Sequence, residues 1–366
     1  MTRTFIDRSA PAFWVYVALA AYGAYRFVPL VVASGAAHPA AGATAAAAWM
    51  TYAAVLGWIV FRLELFQRRS RVTITGAFLW GALVVSGIGV SASPAMAELI
   101  TGWMGQDNSG WATAMAAALV EEPLKVLGVV VLALIPGARI NSALDGLFYG
   151  MFVGLGFEVA ESYLYTMGAV AAQGGAIEVV AAMLLLRGVI GGLWSHPSYG
   201  GITGAGAGYV FGPEQSTARK WTVFAVLLFV AMALHFLFDS PIFDDALGPA
   251  TLLKGLPVLV VLLVALRIAR RRERAFFDHA ARTEIDADLI REEELEVLLT
   301  RKGRRRAQRD ARHTGGRRAE RDLRNLQQAQ IDLVSADLDA GSGSAEVSAA
   351  AERVRRARSG VGQAPM

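Results

Sequence analysis

Hydrophobic residues run through this chain in long blocks. Eight stretches, roughly 11–33, 43–66, 72–92, 111–135, 142–171, 182–212, 219–240 and 250–268, are apolar over enough residues to cross a bilayer as helices. The sixth is interrupted by Arg187, His196 and Pro197, so it reads either as one long kinked helix or as a short interfacial helix followed by a span. Past residue 268 the pattern changes. From Arg270 the chain reads as a polar helix with apolar positions at Leu289, Leu295, Leu298 and Leu299. Beyond Asp332 it turns to Gly, Ser and Ala with scattered charge, and order is expected to fade. The predicted architecture is all-α: a polytopic transmembrane bundle of about eight spans over residues 1–268, then a tail over 269–366, helical at first and disordered later.

Charge follows the same division. Of 35 Lys/Arg and 31 Asp/Glu, only 13 and 14 fall in the first 266 positions. A soluble domain would be ~25% charged throughout. The tail holds the remainder and is net basic. With no Cys, a disulfide framework, thiolate metal sites and Cys nucleophiles are ruled out. No cleavable signal peptide is expected, because Arg3, Asp7 and Arg8 precede a first span too long for a signal core.

Loop charges set an orientation. Arg3 and Arg8, then Arg68, Arg69 and Arg71, then Arg139, then Arg219 and Lys220, then the cluster 267–274 mark one set of ends. The opposite loops, 34–42, 93–110, 172–181 and 241–249, hold Glu98, Asp107, Glu178, Asp244 and Asp245 and no Lys or Arg. By the positive-inside rule all five basic ends are cytoplasmic if there are eight spans, with both termini inside. The basic runs 270–274 and 301–306 then read as retention signals and anionic-lipid contacts of a cytoplasmic tail, in preference to nucleic-acid binding.

Two glycine ladders stand out: Gly146, Gly150 and Gly154 in the fifth span, and Gly200, Gly204, Gly208 and Gly212 in the sixth. Small residues at this spacing make a flat strip that another backbone can approach closely. Close helices would hold facing polar groups within ligand distance.

Ionisable groups in mid-membrane cost ~2.5–3.5 kcal/mol each on the translocon scale, so each needs a partner or a purpose. The informative set is Glu121, Glu122 and Lys125 in the fourth span, Glu158 and Glu161 in the fifth, Arg187 and His196 in the sixth, and His235 and Asp239 in the seventh. At ~1.5 Å rise per residue, Glu121 and Glu161 lie ~15 Å and His235 ~9 Å from the outer edge, and His196 falls in the same half. Helical spacing sorts the faces: Glu121 and Lys125 (i,i+4) are expected to pair, Glu158 and Glu161 (i,i+3) share a face, and so do His235 and Asp239 (i,i+4). Two imidazoles and at least two carboxylates at one depth suit Zn²⁺ with a position open for water. A proton or cation path in a transporter would use similar groups.

In their order these motifs resemble the PrsW family of intramembrane metalloproteases, within a wider group that includes the CAAX-type prenyl proteases. Glu121-Glu122-Pro123-Leu124-Lys125 fits its E-E-x-x-K motif, and Phe157-Glu158-Val159-Ala160-Glu161 fits F-x-x-x-E. Arg187 and His196, at the head of a Gly-rich helix, fit the third motif, and His235 to Asp239 fits H-x-x-x-[DN]. The motif core is 111–240. One departure is Ser162, where family members often carry Asn after the second-motif Glu.

The resemblance implies hydrolysis of a peptide bond of a membrane-protein substrate near the outer leaflet of a bacterial plasma membrane, with an anti-sigma factor as the associated substrate class. It implies Glu121 as general base, Glu122 as a second essential carboxylate, and Glu161, His196, His235 and Asp239 around a zinc ion. Lys125 and Arg187 balance charge. A CAAX-type reading is disfavoured by Glu161, where that group carries His. The competing reading is a non-proteolytic scaffold or a cation- or proton-handling transporter, for which inverted repeats are expected and none is visible. A homo-oligomer is compatible with the pattern.

Overall fold

The computed structural model describes residues 6–66, 69–138, 140–212, 216–243, 247–341 and 343–361. Arg3, Arg68, Arg139, Asp244 and Asp245, on which part of the charge asymmetry rests, lie outside the described residues. Every described regular element is helical. The chain divides into two units, one of residues 1–63 and 69–269, the other of 64–68 and 270–366.

The first unit begins with α1 (Pro11–Ala37) and α2 (Pro39–Phe61), each opened by a proline in its first turn, where no helical N–H is required. α3 (Arg71–Met104) contains a π-helical stretch, Trp80–Val85. Then come α4 (Ser109–Ala133) and α5 (Ala143–Ala172). α6 (Glu178–Met183) runs into a π-helical segment, Leu184–Gly191, and a tight turn, Gly192–Trp194. α7 (His196–Phe211) and α8 (Thr217–Asp239) follow, and α9 is Leu247–Thr283. The sixth predicted span is therefore a short helix and a π segment, broken at Ser195 from the helix that His196 starts.

Among the described residues, seven helical runs are long and apolar enough to cross a membrane. The eighth expected span is α4, whose 25 residues suffice in length but carry Glu121, Glu122 and Lys125. α5 is the centre of the bundle: 94% of its most apolar stretch is buried, against 11% for α8. Its glycine ladder meets that of α7. A Cβ on Gly146 would lie 2.0 Å from the Gly204 carbonyl oxygen, one on Gly150 1.9 Å from that of Gly200, and one on Gly154 2.1 Å from that of His196. Gly212 falls outside the contact, at the C-cap of α7.

The second unit corrects the expectation that order fades past Asp332. α10 (Glu292–Leu298), α11 (Arg301–Ala340) and α12 (Ala345–Val361) continue nearly to the end of the described residues. α11 changes direction at Gly316, whose φ of 72° favours glycine, and Gln308 on one arm donates to Gln327 on the other at 2.7 Å. Leu326, Leu333, Ala350 and Val354 bury against Leu289. These few apolar positions, spaced by seven and four, make a seam strong enough to order a polar segment. Arg358 grips both carboxylate oxygens of Glu294 at 2.7–2.8 Å and helps hold that carboxyl below its ordinary range against the opposing effect of burial. The same unit takes in part of the α2–α3 loop. Phe66 stacks on Phe277 at 4.1 Å between ring centres, and Arg304 donates to the Leu65 carbonyl at 2.6 Å.

Candidate active site

Four helices bring the ionisable residues of the first unit to one place, and α4 supplies the most deeply buried of them. Lys125 is wholly enclosed. Its Nζ donates to Glu122 Oε1 at 2.7 Å, while Glu121 Oε2 is 3.6 Å away. The predicted i,i+4 pair with Glu121 is thus the looser contact, and the i,i+3 partner Glu122 is the closer one. Lys125 also reaches His196 Nδ1 at 2.9 Å and lies over the Phe157 ring, 4.6 Å from its centre.

The two histidines are held from opposite sides. His235 Nδ1 is 2.9 Å from Glu122 Oε1, and its ring stacks on Tyr199 with centres 4.9 Å apart. A carboxylate only accepts, so Nδ1 carries a hydrogen and donates it to Glu122. The ring's Nε2 is buried, with Asp239 Oδ2 3.1 Å from it, an ion-pair distance, and Glu121 Oε2 3.8 Å away. Glu121 Oε2 is buried as well. His196 meets Lys125 through Nδ1 and Glu161 Oε2 through Nε2, the latter at 3.0 Å. Lysine only donates, so the neutral His196 ring holds its hydrogen on Nε2 and gives it to Glu161.

The two imidazole centres are 5.1 Å apart. One ligand atom each from Glu121, His196 and His235 falls within 4.8 Å of the others. Glu121 therefore joins the histidines, a grouping that the helix-by-helix count had not singled out. Glu161 is engaged by Arg187, whose Nη2 donates to Oε2 at 2.6 Å. All of these except Glu122, Lys125 and His235 line a cavity of about 820 Å³.

Sequence reasoning left Glu158 and Ser195 without a role. A serine before a helix ordinarily turns its hydroxyl to an amide of the first turn. Ser195 makes no such cap; it donates to Glu158 Oε2 at 2.6 Å. Glu158 Oε1 accepts from Ser162, which in turn accepts from Arg187 Nε at 3.1 Å. So α5 fixes His196 twice, through Glu161 on its ring and through Glu158 on the residue before it. Ser162 serves as both donor and acceptor in this chain of contacts. The available signal was the i,i+3 pair of intramembrane carboxylates, one of which had no assigned partner. Ser195→Ala is expected to lower turnover about 10–100-fold while detergent melting stays near wild type, the scale usual for a group that orients a ligand. A turnover equal to wild type would dismiss the contact as incidental.

A sequence model described as PrsW family intramembrane metalloprotease matches residues 69–268, more than half of the chain. No curated protein and no solved structure matches.

Proposed function

The chain belongs to the PrsW family of intramembrane metalloproteases, and from that premise we propose that it cleaves a single-span membrane protein near the outer leaflet of a bacterial plasma membrane, with both of its own termini cytoplasmic. An anti-sigma factor is the substrate class we favour. The orientation is supported by Arg8, Arg69, Arg71, Arg219 and Lys220 at one set of ends and Glu98, Asp107 and Glu178 at the other.

One observation carries the site reading. Glu121 Oε2 and His235 Nε2 are both buried, 3.8 Å apart, and Asp239 Oδ2 lies 3.1 Å from the same Nε2. One imidazole nitrogen beside two carboxylates is a donor set that a divalent cation fits. His196, His235, Glu161 and Asp239 would hold it, and we take zinc as the metal. At His196 the cation takes the place of the hydrogen shared with Glu161. Bound there, it would polarise the scissile carbonyl and acidify a water.

The remaining work falls to the chain. Glu121 removes a proton from the attacking water and returns it to the leaving amine. Glu122, expected beside it as a second catalytic carboxylate, acts in this reading through His235, fixing its tautomer and ring plane. Lys125 neutralises Glu122 and holds His196 Nδ1. Arg187 offsets the charge of Glu161.

The test uses purified protein in proteoliposomes with a single-span reporter. Complete metal removal by a chelator should abolish cleavage, and Zn²⁺ should restore it to wild-type protein but not to His235→Ala. Full turnover by the metal-free protein would favour a glutamate–histidine hydrolase that works without a cation.

A further inference from the structure

The wall of the cavity opposite the histidines is made by α3 and α4, and none of the motifs reaches α3. Gly89, Ser93 and Ala97 follow one another there at four-residue steps on one face, and Ala117 and Glu121 of α4 line the same cavity. Gly89 is unlike its neighbours. A Cβ on Gly81 would strike the Val153 carbonyl oxygen at 1.8 Å, and one on Gly87 that of Gly23 at 2.3 Å; these glycines exist for close helix packing. Gly89 is buried as well, yet a Cβ there would come no nearer than 4.0 Å to anything, the nearest atom being Ser93 Oγ. Its missing side chain leaves a space rather than a contact.

We infer that this space, between Gly89 and Ala117, is a substrate subsite that takes one large apolar side chain next to the scissile bond. The inference rests on the proteolytic reading and on Glu121 as the reacting group. Glu121 is 5% exposed and belongs to the end of this wall where the chemistry is placed. Ala117 precedes it by one turn on the same face, ~6 Å along the axis. From Thr113 to Glu121 the α4 side of the wall runs ~12 Å, room for about four residues of extended peptide at ~3.3 Å each.

The wall also has the means to hold such a backbone. Ser93 Oγ is buried with no hydrogen-bond partner and can donate. Pro94 has no N–H, so the Val90 carbonyl, on the same wall, lacks its helical bond from residue 94 and can accept. No Lys or Arg belongs to the α3 and α4 side of the cavity, which suits an apolar side chain and would leave a charged one without its solvent.

The experiment compares wild type, Gly89→Leu and Ala117→Leu in proteoliposomes. The substrates are single-span reporters with Ala, Leu or Phe at each residue flanking the mapped cleavage point. Wild type should favour Leu or Phe over Ala at one flanking position by at least about tenfold in kcat/KM, and filling the space should reverse that order. Equal selectivity in all three folded proteins, or a uniform loss for every reporter, overturns the subsite. A Cβ at residue 89 meets only Ser93 Oγ, at 4.0 Å; if the melting of Gly89→Leu shows that it has unfolded, Ala117→Leu decides alone. A wild-type protein that cleaves no reporter removes the proteolytic premise instead, which sets that failure apart from a failure of selectivity.

Discussion

Glu121→Gln is expected to reduce peptide-bond cleavage by about 10²–10⁴-fold while the protein still inserts, purifies and melts as wild type does. The amide keeps the shape of the side chain and cannot take a proton. What protects the fold is the arrangement around Lys125. That ammonium is 3.6 Å from Glu121 but 2.7 Å from Glu122, so it keeps its main partner when Glu121 becomes neutral. Glu122→Gln should behave in the opposite way. It removes the acceptor shared by Lys125 and His235 Nδ1 and leaves a wholly buried ammonium without its closest counter-charge. Breaking a buried pair from one side typically costs ~3–5 kcal/mol, so this variant should lose stability together with activity. Parallel measurement of turnover and thermal melting separates the two carboxylates. Normal turnover by Glu121→Gln would move the base to another group, and normal melting of Glu122→Gln would contradict its structural role.

Most of the candidate site was legible because mid-membrane charge is expensive and therefore rare. Glu121, Glu122, Lys125, Glu161, Arg187, His196, His235 and Asp239 were singled out on that ground, and the fold brings them into one connected cluster. Pairing within it was less legible. Helical spacing allows Lys125 to meet either Glu121 or Glu122, and the choice depends on His196 and His235, which come from other helices. Ser195 was invisible for a related reason. Its identity suggests an ordinary helix cap, and only the approach of Glu158 from α5 draws the hydroxyl away. Departures of this kind from local preference collect where function constrains the chain.

The tail misled for the opposite reason. Gly, Ser, Ala and charge dominate residues 333–361, and composition of that sort suggests disorder. Yet Leu333, Ala350 and Val354 are fully buried. Spacing decided the outcome where composition did not. The break at Ser195 was one of two alternatives the sequence allowed; a proline directly after His196 is compatible with a kink and with a new helix start, and the π-helical segment before it could not be read from residue types.

Gly154→Ala is expected to damage both stability and activity, although it adds only one methyl group. Its Cβ would sit 2.1 Å from the His196 carbonyl oxygen and 2.8 Å from Pro197 Cα, distances at which backbone has to move. Relief requires α5 and α7 to separate, and forced expansion of a packed interface usually costs ~1–3 kcal/mol. The catalytic consequence should be larger than that cost suggests. His196 is the first residue of α7 and is placed by Glu161, Lys125 and the Ser195–Glu158 contact at 2.6–3.0 Å. A shift of ~1 Å in such a group can lower a rate ~10²-fold. Gly146→Ala, two turns away on the same ladder with a predicted contact of 2.0 Å to the Gly204 carbonyl oxygen, is the matched control. It should destabilise to a similar degree with a smaller loss of turnover at temperatures where both variants are folded. Equal losses of turnover in the two would mean that the ladder serves packing alone and does not set the position of His196.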